Sequence, residues 1–390
     1  MPARELSTPA GLSEADARTS LTRRPLRLAR RLRPRAAWYG VGAMAVITAY
    51  FTLGNSAFSL FTLNSCLLAI FGAVALNLLM GTAGLVSIGN SAFLAVGAFA
   101  AVFAVRSGIP FPGDVAFGGV LAGLVGMVIG LPAVRLRGLH LALATLAGFF
   151  IITYFTNEYQ SNARGGGTGG FSVAPLFGSA GLTGQQKDWA WFLFVLVAIL
   201  VLGATRIAHE RSGRAWRMIR DHETVAHTLG IAVTRYKMIA FALSSAVIGV
   251  EGGLALHLSG TVTTDQFTLQ LAITYIAMVL IGGLDSVAGA VIGAVLVTAL
   301  PAIVPNLVTG LIGAQSATSD GSAIAEIIYG LLVMVFIMSS PRGIVGLLHA
   351  LTRVSATQRV TGQLGQWRRK TLGGPIQSGD GGGSTGLESQ

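Results

Sequence analysis

The chain has 390 residues, of which 52% are hydrophobic and 11% charged, with 52 glycines and a formal net charge of +11. Soluble domains carry about 25% charged residues, so this composition excludes an ordinary water-soluble domain. Stretches of about 20 apolar residues recur, each able to cross a roughly 30 Å hydrocarbon core, and they predict an all-α, polytopic membrane protein.

Residues 1–35 form a polar, Arg-rich tail, and residues 1–22 have the composition of a disordered segment. The first apolar run begins at Ala36 with no small-residue cleavage site before it, which reads as an uncleaved signal-anchor. Spans are predicted at 36–54, 57–80, 84–105, 114–134, 138–156, 188–206, 238–258, 268–283, 287–305 and 323–340. That makes ten, or eight to nine if the third or ninth is re-entrant. The third opens with the polar, small-residue stretch GLVSIGNSAF, which suits a broken helix packed within protein, and the ninth follows the GGLDS turn and is expected to be similarly irregular. Trp38 and Tyr39, Tyr154 and Phe155, and Trp189 and Trp191 stand at predicted span ends, where amphipathic rings favour the interface. Cys66 lies inside the second span and is the single cysteine, so it forms no internal disulfide.

Ten spans place both termini on one side, and the cations identify it. Twenty-four of the 27 Lys and Arg residues fall in the N-terminal tail, at Arg135 and Arg137, in the 206–237 loop, or in the C-terminal tail. Only Arg106, Arg164 and Lys187 fall opposite. Cationic loops remain cytoplasmic, so both termini are expected inside a bacterial cytoplasmic (inner) membrane. The excess charge is a topology signal and an attraction to the lipid bilayer; no nucleic-acid partner follows from it. The division expected is a tail over 1–35, a transmembrane domain over 36–348 with a cytoplasmic loop at 207–237 and an external loop at 157–187, and a flexible Gly/Ser-rich tail over 349–390.

Gly119 and Gly123, Gly126 and Gly130, and Gly289 and Gly293 are each four apart, so each pair shares a helix face and allows close backbone approach. Residues 165–170, GGGTGG, match G-x-G-x-x-G, but they lie in an external loop without the strand and helix a dinucleotide site needs. There is no G-K-[ST], H-E-x-x-H, Cys pair or G-x-S-x-G, so no catalytic constellation is legible and any ATP and Mg must be bound by partner subunits.

The loop SGRAWRMIRDHETVAHTLGIAVTRYK carries the sharpest signal. Asp221 is expected to N-cap a two-turn helix beginning at His222. Glu223 places negative charge at its positive end and pairs with His227 on the solvent face. Gly230 supplies a left-handed stop. Val225 and Leu229 form an apolar ridge with nothing to bury against in an isolated loop. A partner groove or the lipid surface can take such a ridge, and its two-turn length favours the groove.

Ionisable groups inside spans are costly, and Glu251 is the clearest one. His140 and His257 stand nearer span ends, where interfacial solvation suffices, and Asp285 lies in a short turn. Asn77, Ser87, Asn90 and Ser91 form a polar cluster that either lines a translocation path with Glu251 or bonds neighbouring helices.

The segments 75–101, 136–147, 213–254, 276–294 and 327–348 resemble the permease subunits of branched-chain amino-acid ABC importers (LivM type), in register over roughly 57–348. The resemblance implies a second related permease subunit, two cytoplasmic ATP-binding subunits and an extracytoplasmic substrate-binding protein as partners. It also implies that Asp221, His222, Glu223, Val225, Ala226, Leu229, Gly230 and Ile231 contact an ATPase. The family usually has small or apolar residues at Glu251 and Asp285, and often an aromatic at His140. Branched-chain amino acids are the implied cargo, with urea or short amides as the alternative within the family. A stand-alone secondary transporter or channel is the competing class, but paired intramembrane carboxylates and a clear inverted repeat are missing.

Overall fold

The computed structural model describes residues 57–312, apart from 134–135, 137, 164–168, 175, 178–180 and 285, together with 330, 331 and 334. The predicted span 36–54, that over 323–340 apart from 330, 331 and 334, both tails, Asp285, Arg135, Arg137 and most of GGGTGG lie outside the described residues. Helices cover most of the described apolar runs: α1 (Ala57–Leu76), α2 (Asn90–Arg106), α3 (Gly113–Ala133), α4 (Leu139–Ala163) and α5 (Gly181–His209). A loop pair follows, α6 (Arg211–Asp221) and α7 (Glu223–Thr228), and then α8 (Val233–Ser259), α9 (Leu269–Gly282) and α10 (Val287–Ile312). Six of these segments are long and apolar enough to cross a membrane, and α2 is a shorter apolar helix. The protein is therefore an all-α, polytopic membrane protein.

The second predicted span does not end as an α-helix. After Leu76 the chain widens into a π turn over Asn77–Thr82, closed by the Ala83 N–H donating to Leu78 O at 3.1 Å. Residues 83–89 then leave helical conformation, and α2 begins only at Asn90. The broken third span is thus real. Its unwound backbone finds partners inside the protein, as hydrocarbon demands: Leu85 N–H donates to Leu79 O at 3.1 Å and Ile88 N–H to Thr145 Oγ1 at 3.0 Å. The expectation of an irregular ninth span is corrected. The hydroxyl of Ser286 accepts from Gly289 N–H at 3.2 Å, an N-cap that lets α10 run unbroken from Val287.

The glycine pairs set the packing. Along α3, Gly119, Gly123, Gly126 and Gly130 face α8 at Val250, Ala246, Ser245 and Phe241 in turn. A Cβ at Gly119 would sit 2.6 Å from Val250 Cγ2, and one at Gly123 3.1 Å from Ala246 Cβ. The two helices are antiparallel and nearly in backbone contact. Gly289 and Gly293 do the same for α10 against Gly282 and Met278 of α9. α1 stands between these groups, packed against α5, α8, α9 and α10.

The two ends of the bundle differ. At one, the two-residue strands β1 (Phe171–Ser172) and β2 (Thr261–Val262) pair antiparallel, Phe171 opposite Val262. Phe171 meets Phe99 and Tyr159 there, under the guanidinium of Arg106. At the other end lie the π turn, α6, α7 and the turn after α9. Trp189, expected at an interface, is instead buried beside Phe177 and Phe192, because α5 starts at Gly181 and carries it into the protein; Trp191 faces outward.

Candidate functional site

The loop between α5 and α8 holds two helices rather than one. α6 is amphipathic: Ala215, Trp216 and Ile219 are buried while Arg211, Arg214 and Met218 face outward. The Trp216 indole N–H donates to Tyr236 O at 2.9 Å, fixing α6 on the base of α8. α7 rests on this platform through Ala226, fully buried against Ile219 and Val233 with Ile231 and Tyr236 alongside. Gly230 adopts φ +77, and the following Ile231 N–H returns to Ala226 O at 3.0 Å, so the left-handed stop is as expected.

Two expectations for this loop are corrected. Asp221 does not cap α7: it is the last residue of α6, its carboxylate 3.0 Å from Arg220 Nε, and His222 precedes α7 without a side-chain cap. The buried Ala215, Trp216 and Ile219 hold α6 helical through Asp221, which takes that residue out of the cap position. Glu223 does not pair with His227 on a solvent face either. It accepts from Lys237 Nζ at 2.8 Å, with the Lys237 side chain only 4% exposed, because the first turn of α8 passes directly behind α7. His222 and His227 face outward.

The ridge is where the spacing places it. Val225 is 49% exposed and Leu229 64%, with Met218 of α6 also outward. α7 is therefore anchored on its back by Ala226 and the Glu223–Lys237 ion pair, and presents an uncovered apolar front. A second link joins the loop to the membrane core. The Arg220 guanidinium donates to Gly81 O, at the end of the π turn. Gly84 has φ +71, and a Cβ on it would strike the Arg220 side chain. Between these elements lies a cavity of about 290 Å³.

The predicted polar cluster is wholly enclosed. Asn77, Ser87, Asn90, Ser91 and Glu251 are all buried, Glu251 at 1% exposure. The Asn77 amide donates to Leu284 O at 2.9 Å, tying the π turn to the turn after α9. Among the described residues, the hydroxyls of Ser87 and Ser91 and both polar atoms of the Asn90 amide have no hydrogen-bond partner. Unpaired buried polar groups cost of order 1–3 kcal/mol each, which is unusual in a membrane interior unless something else meets them. Glu251 accepts from the Tyr275 hydroxyl with Oε1, while Oε2 lies against Gly72, where no Cβ could stand. It faces protein, not lipid. Asn77 and Glu251 thus bond neighbouring elements, and the Ser87–Asn90–Ser91 group remains open.

Three functional candidates escape the sequence. Arg220 reads as one of many basic loop residues until Gly81 is seen beside it. Tyr275 in an apolar run gives no hint of Glu251. Asp114 stands in the first turn of α3 and is fully buried against His257 of α8, its Oδ2 bonded to Nε2. His257 is accordingly not solvated at an interface, contrary to its reading near a span end. His140 faces outward. For α6 the signal was present, since apolar 215, 216 and 219 alternate with Arg at 214, 217 and 220.

Comparison with known proteins gives a concordant result. Residues 58–338 match the family model described as the permease component of branched-chain amino acid transport systems. The chain is 30% identical over 241 residues to the high-affinity branched-chain amino acid transport system permease protein LivM of Escherichia coli, covering 54% of this chain and 55% of that protein. It is 29% identical, with the same coverage, to the Salmonella typhimurium protein of that name. It is 27% identical over 217 residues to the nucleoside ABC transporter permease protein NupC of Lactococcus lactis, covering 50% of this chain and 66% of that one. The matched region spans about half the length of the curated LivM relatives. No solved structure matches the chain.

Proposed function

The chain belongs to the family of permease components of branched-chain amino acid transport systems, and from that premise we propose that it forms half of an ATP-driven import pathway for branched-chain amino acids or similar small polar solutes. A second related permease completes the pathway, two cytoplasmic ATP-binding subunits drive it, and an extracytoplasmic binding protein delivers cargo. In this reading the end of the bundle bearing α6 and α7 is cytoplasmic, as are both termini, and the β1–β2 end faces outward.

The observation that carries the reading is the exposed Val225–Leu229 ridge on a helix anchored from behind. An apolar helix face of this kind fits a groove on a partner. ATP-driven closure of the partner subunits pulls on α7. The Glu223–Lys237 pair passes the displacement to α8, and Arg220 passes it to Gly81 and the unwound 83–89 stretch. Asn90, Ser87 and Ser91 stand at the inner end of that stretch and offer donors and acceptors to cargo as the pathway switches.

Cargo is tested by uptake into proteoliposomes holding the assembled complex, with labelled leucine outside and ATP inside. Accumulation suppressed by excess isoleucine or valine supports the amino-acid reading. The match to a nucleoside permease favours one rival, and suppression by a nucleoside but not by isoleucine establishes that rival instead. Suppression by urea alone points to the amide branch. Accumulation that persists without ATP overturns the ATP-driven class.

A further inference from the structure

We propose that the cavity between the coupling loop and the unwound 83–89 stretch binds a free aliphatic amino acid from the cytoplasm, and that occupancy restrains the coupling helix. The inference rests on the amino-acid cargo and the orientation proposed above. The cavity holds about 290 Å³, just under the ~300–1,000 Å³ range of ligand pockets, which limits any occupant to a small molecule. A ligand of leucine's size fits it.

The lining selects among small molecules. Leu85, Leu136 and Leu141 make one wall apolar, while Arg220, Glu223 and Lys237 give the other both signs of charge. The Glu223 carboxylate and the Lys237 ammonium stand 2.8 Å apart. An α-amino acid carries its own ammonium and carboxylate on one carbon, and so matches this pair charge for charge: ammonium toward Glu223, carboxylate toward Lys237 and the positive wall of Arg220. Its aliphatic side chain then lies on the three leucines. A phosphate group would meet the Glu223 charge, a simple cation would meet Arg220 and Lys237, and a purely apolar molecule would leave the ion pair against hydrocarbon. Among the described lining residues, the zwitterion is the class that suits both the charged and the apolar wall.

Position gives the consequence. The walls belong to the unwound stretch after α1, the segment entering α4, the end of α6, the start of α7 and the base of α8. A ligand spanning them binds this arrangement better than any in which α7 has moved, and it shifts the population accordingly. Imported product accumulating inside then slows its own import.

The test uses the complete transporter, this chain with its second permease and both ATP-binding subunits, without binding protein. Leucine is expected to raise its Tm saturably. Leu136→Trp, which fills the cavity, and Glu223→Gln, which removes the ammonium's partner, are each expected to abolish the rise; if one fails to assemble, the other decides. No rise with leucine, or a rise unchanged in the variants, overturns the site, the latter placing leucine elsewhere. A rise with inorganic phosphate but not leucine makes it an anionic headgroup site and likewise overturns it. In proteoliposomes preloaded with leucine, initial uptake is expected to fall at least about five-fold. Undiminished uptake sinks this inference alone. No uptake from empty vesicles sinks the cargo reading, and the Tm series still decides the site.

Discussion

The guanidinium of Arg220, at the end of the loop helix α6, donates to the carbonyl of Gly81, where the π turn leaves the membrane helix α1. One hydrogen bond therefore joins the element proposed to meet an ATPase to the helix break proposed to move. Arg220→Ala is expected to leave basal ATP hydrolysis of the complex intact and to lower its stimulation by loaded binding protein at least about ten-fold, since a charged hydrogen bond of about 1.5–3 kcal/mol is lost from the link. Full stimulation in the variant would show that Arg220 only holds the loop in place.

The Val225–Leu229 ridge makes a sharper claim. Val225→Asp with Leu229→Asp places two charges on a surface proposed to enter a groove, while Ala226, Glu223 and Gly230 keep α7 folded. Stimulated ATP hydrolysis and uptake should both disappear with the chain still present in the membrane. Normal stimulation would return the ridge to the lipid surface.

Glycine contacts between α3 and α8 predict a contrast between two substitutions of one kind. At Gly126 even a Cβ would strike Ser245, so Gly126→Val is overpacked, whereas a Cβ at Gly203 on α5 meets no neighbouring atom within 4 Å, which makes Gly203→Val the milder change. Overpacking of this sort costs about 1–3 kcal/mol or more. Thermal unfolding of the purified complex should move down for the first and stay put for the second, and equal shifts would contradict the packing described.

Asp114 and His257 are both buried, on α3 and α8 respectively. Removing one partner of a buried pair leaves the other unsatisfied, at about 3–5 kcal/mol, while replacing both with apolar groups is often neutral. Asp114→Leu alone should therefore lower Tm strongly, and the Asp114→Leu/His257→Leu double variant should recover most of the loss. Additive losses in this cycle would mean that the two side chains act independently.

Orientation is checked by cysteine labelling in a Cys66→Ala background. Gly167→Cys is expected to react with an impermeant reagent in intact cells and Gly382→Cys to be protected. The reverse pattern would invert the topology and remove the coupling loop from the cytoplasm.

Much of the architecture was legible because apolar length is a strong, local signal. The spans over 57–156 and 188–305 correspond to helices, the polar start GLVSIGNSAF foretold the break before Asn90, and the glycine pairs marked the tightest contacts. The misreadings share a cause. In sequence Asp221 reads as a cap, Glu223 as the partner of a neighbour four residues on and His257 as a solvated end, each from its own few residues. Their partners are Arg220 within a longer helix, Lys237 fourteen residues away, and Asp114 on a different helix. A side chain's partner across a bundle leaves no periodic trace, so such pairs emerge only when the helices are set side by side.

The seven residues 83–89, lying between the π turn and α2, also set how much travel the chain has in store. Extended backbone covers at most about 3.3–3.6 Å per residue and helix about 1.5 Å, so each residue exchanged between the two states changes the reach of this crossing by up to about 2 Å. α2 itself is pinned, because Gly97 abuts the backbone of Gly249 and Gly252 abuts that of Leu94. In the coupling proposed above, winding or unwinding the 83–89 stretch would let the Arg220 end rise and fall while the helix above keeps its register, so this crossing would contain its own slack.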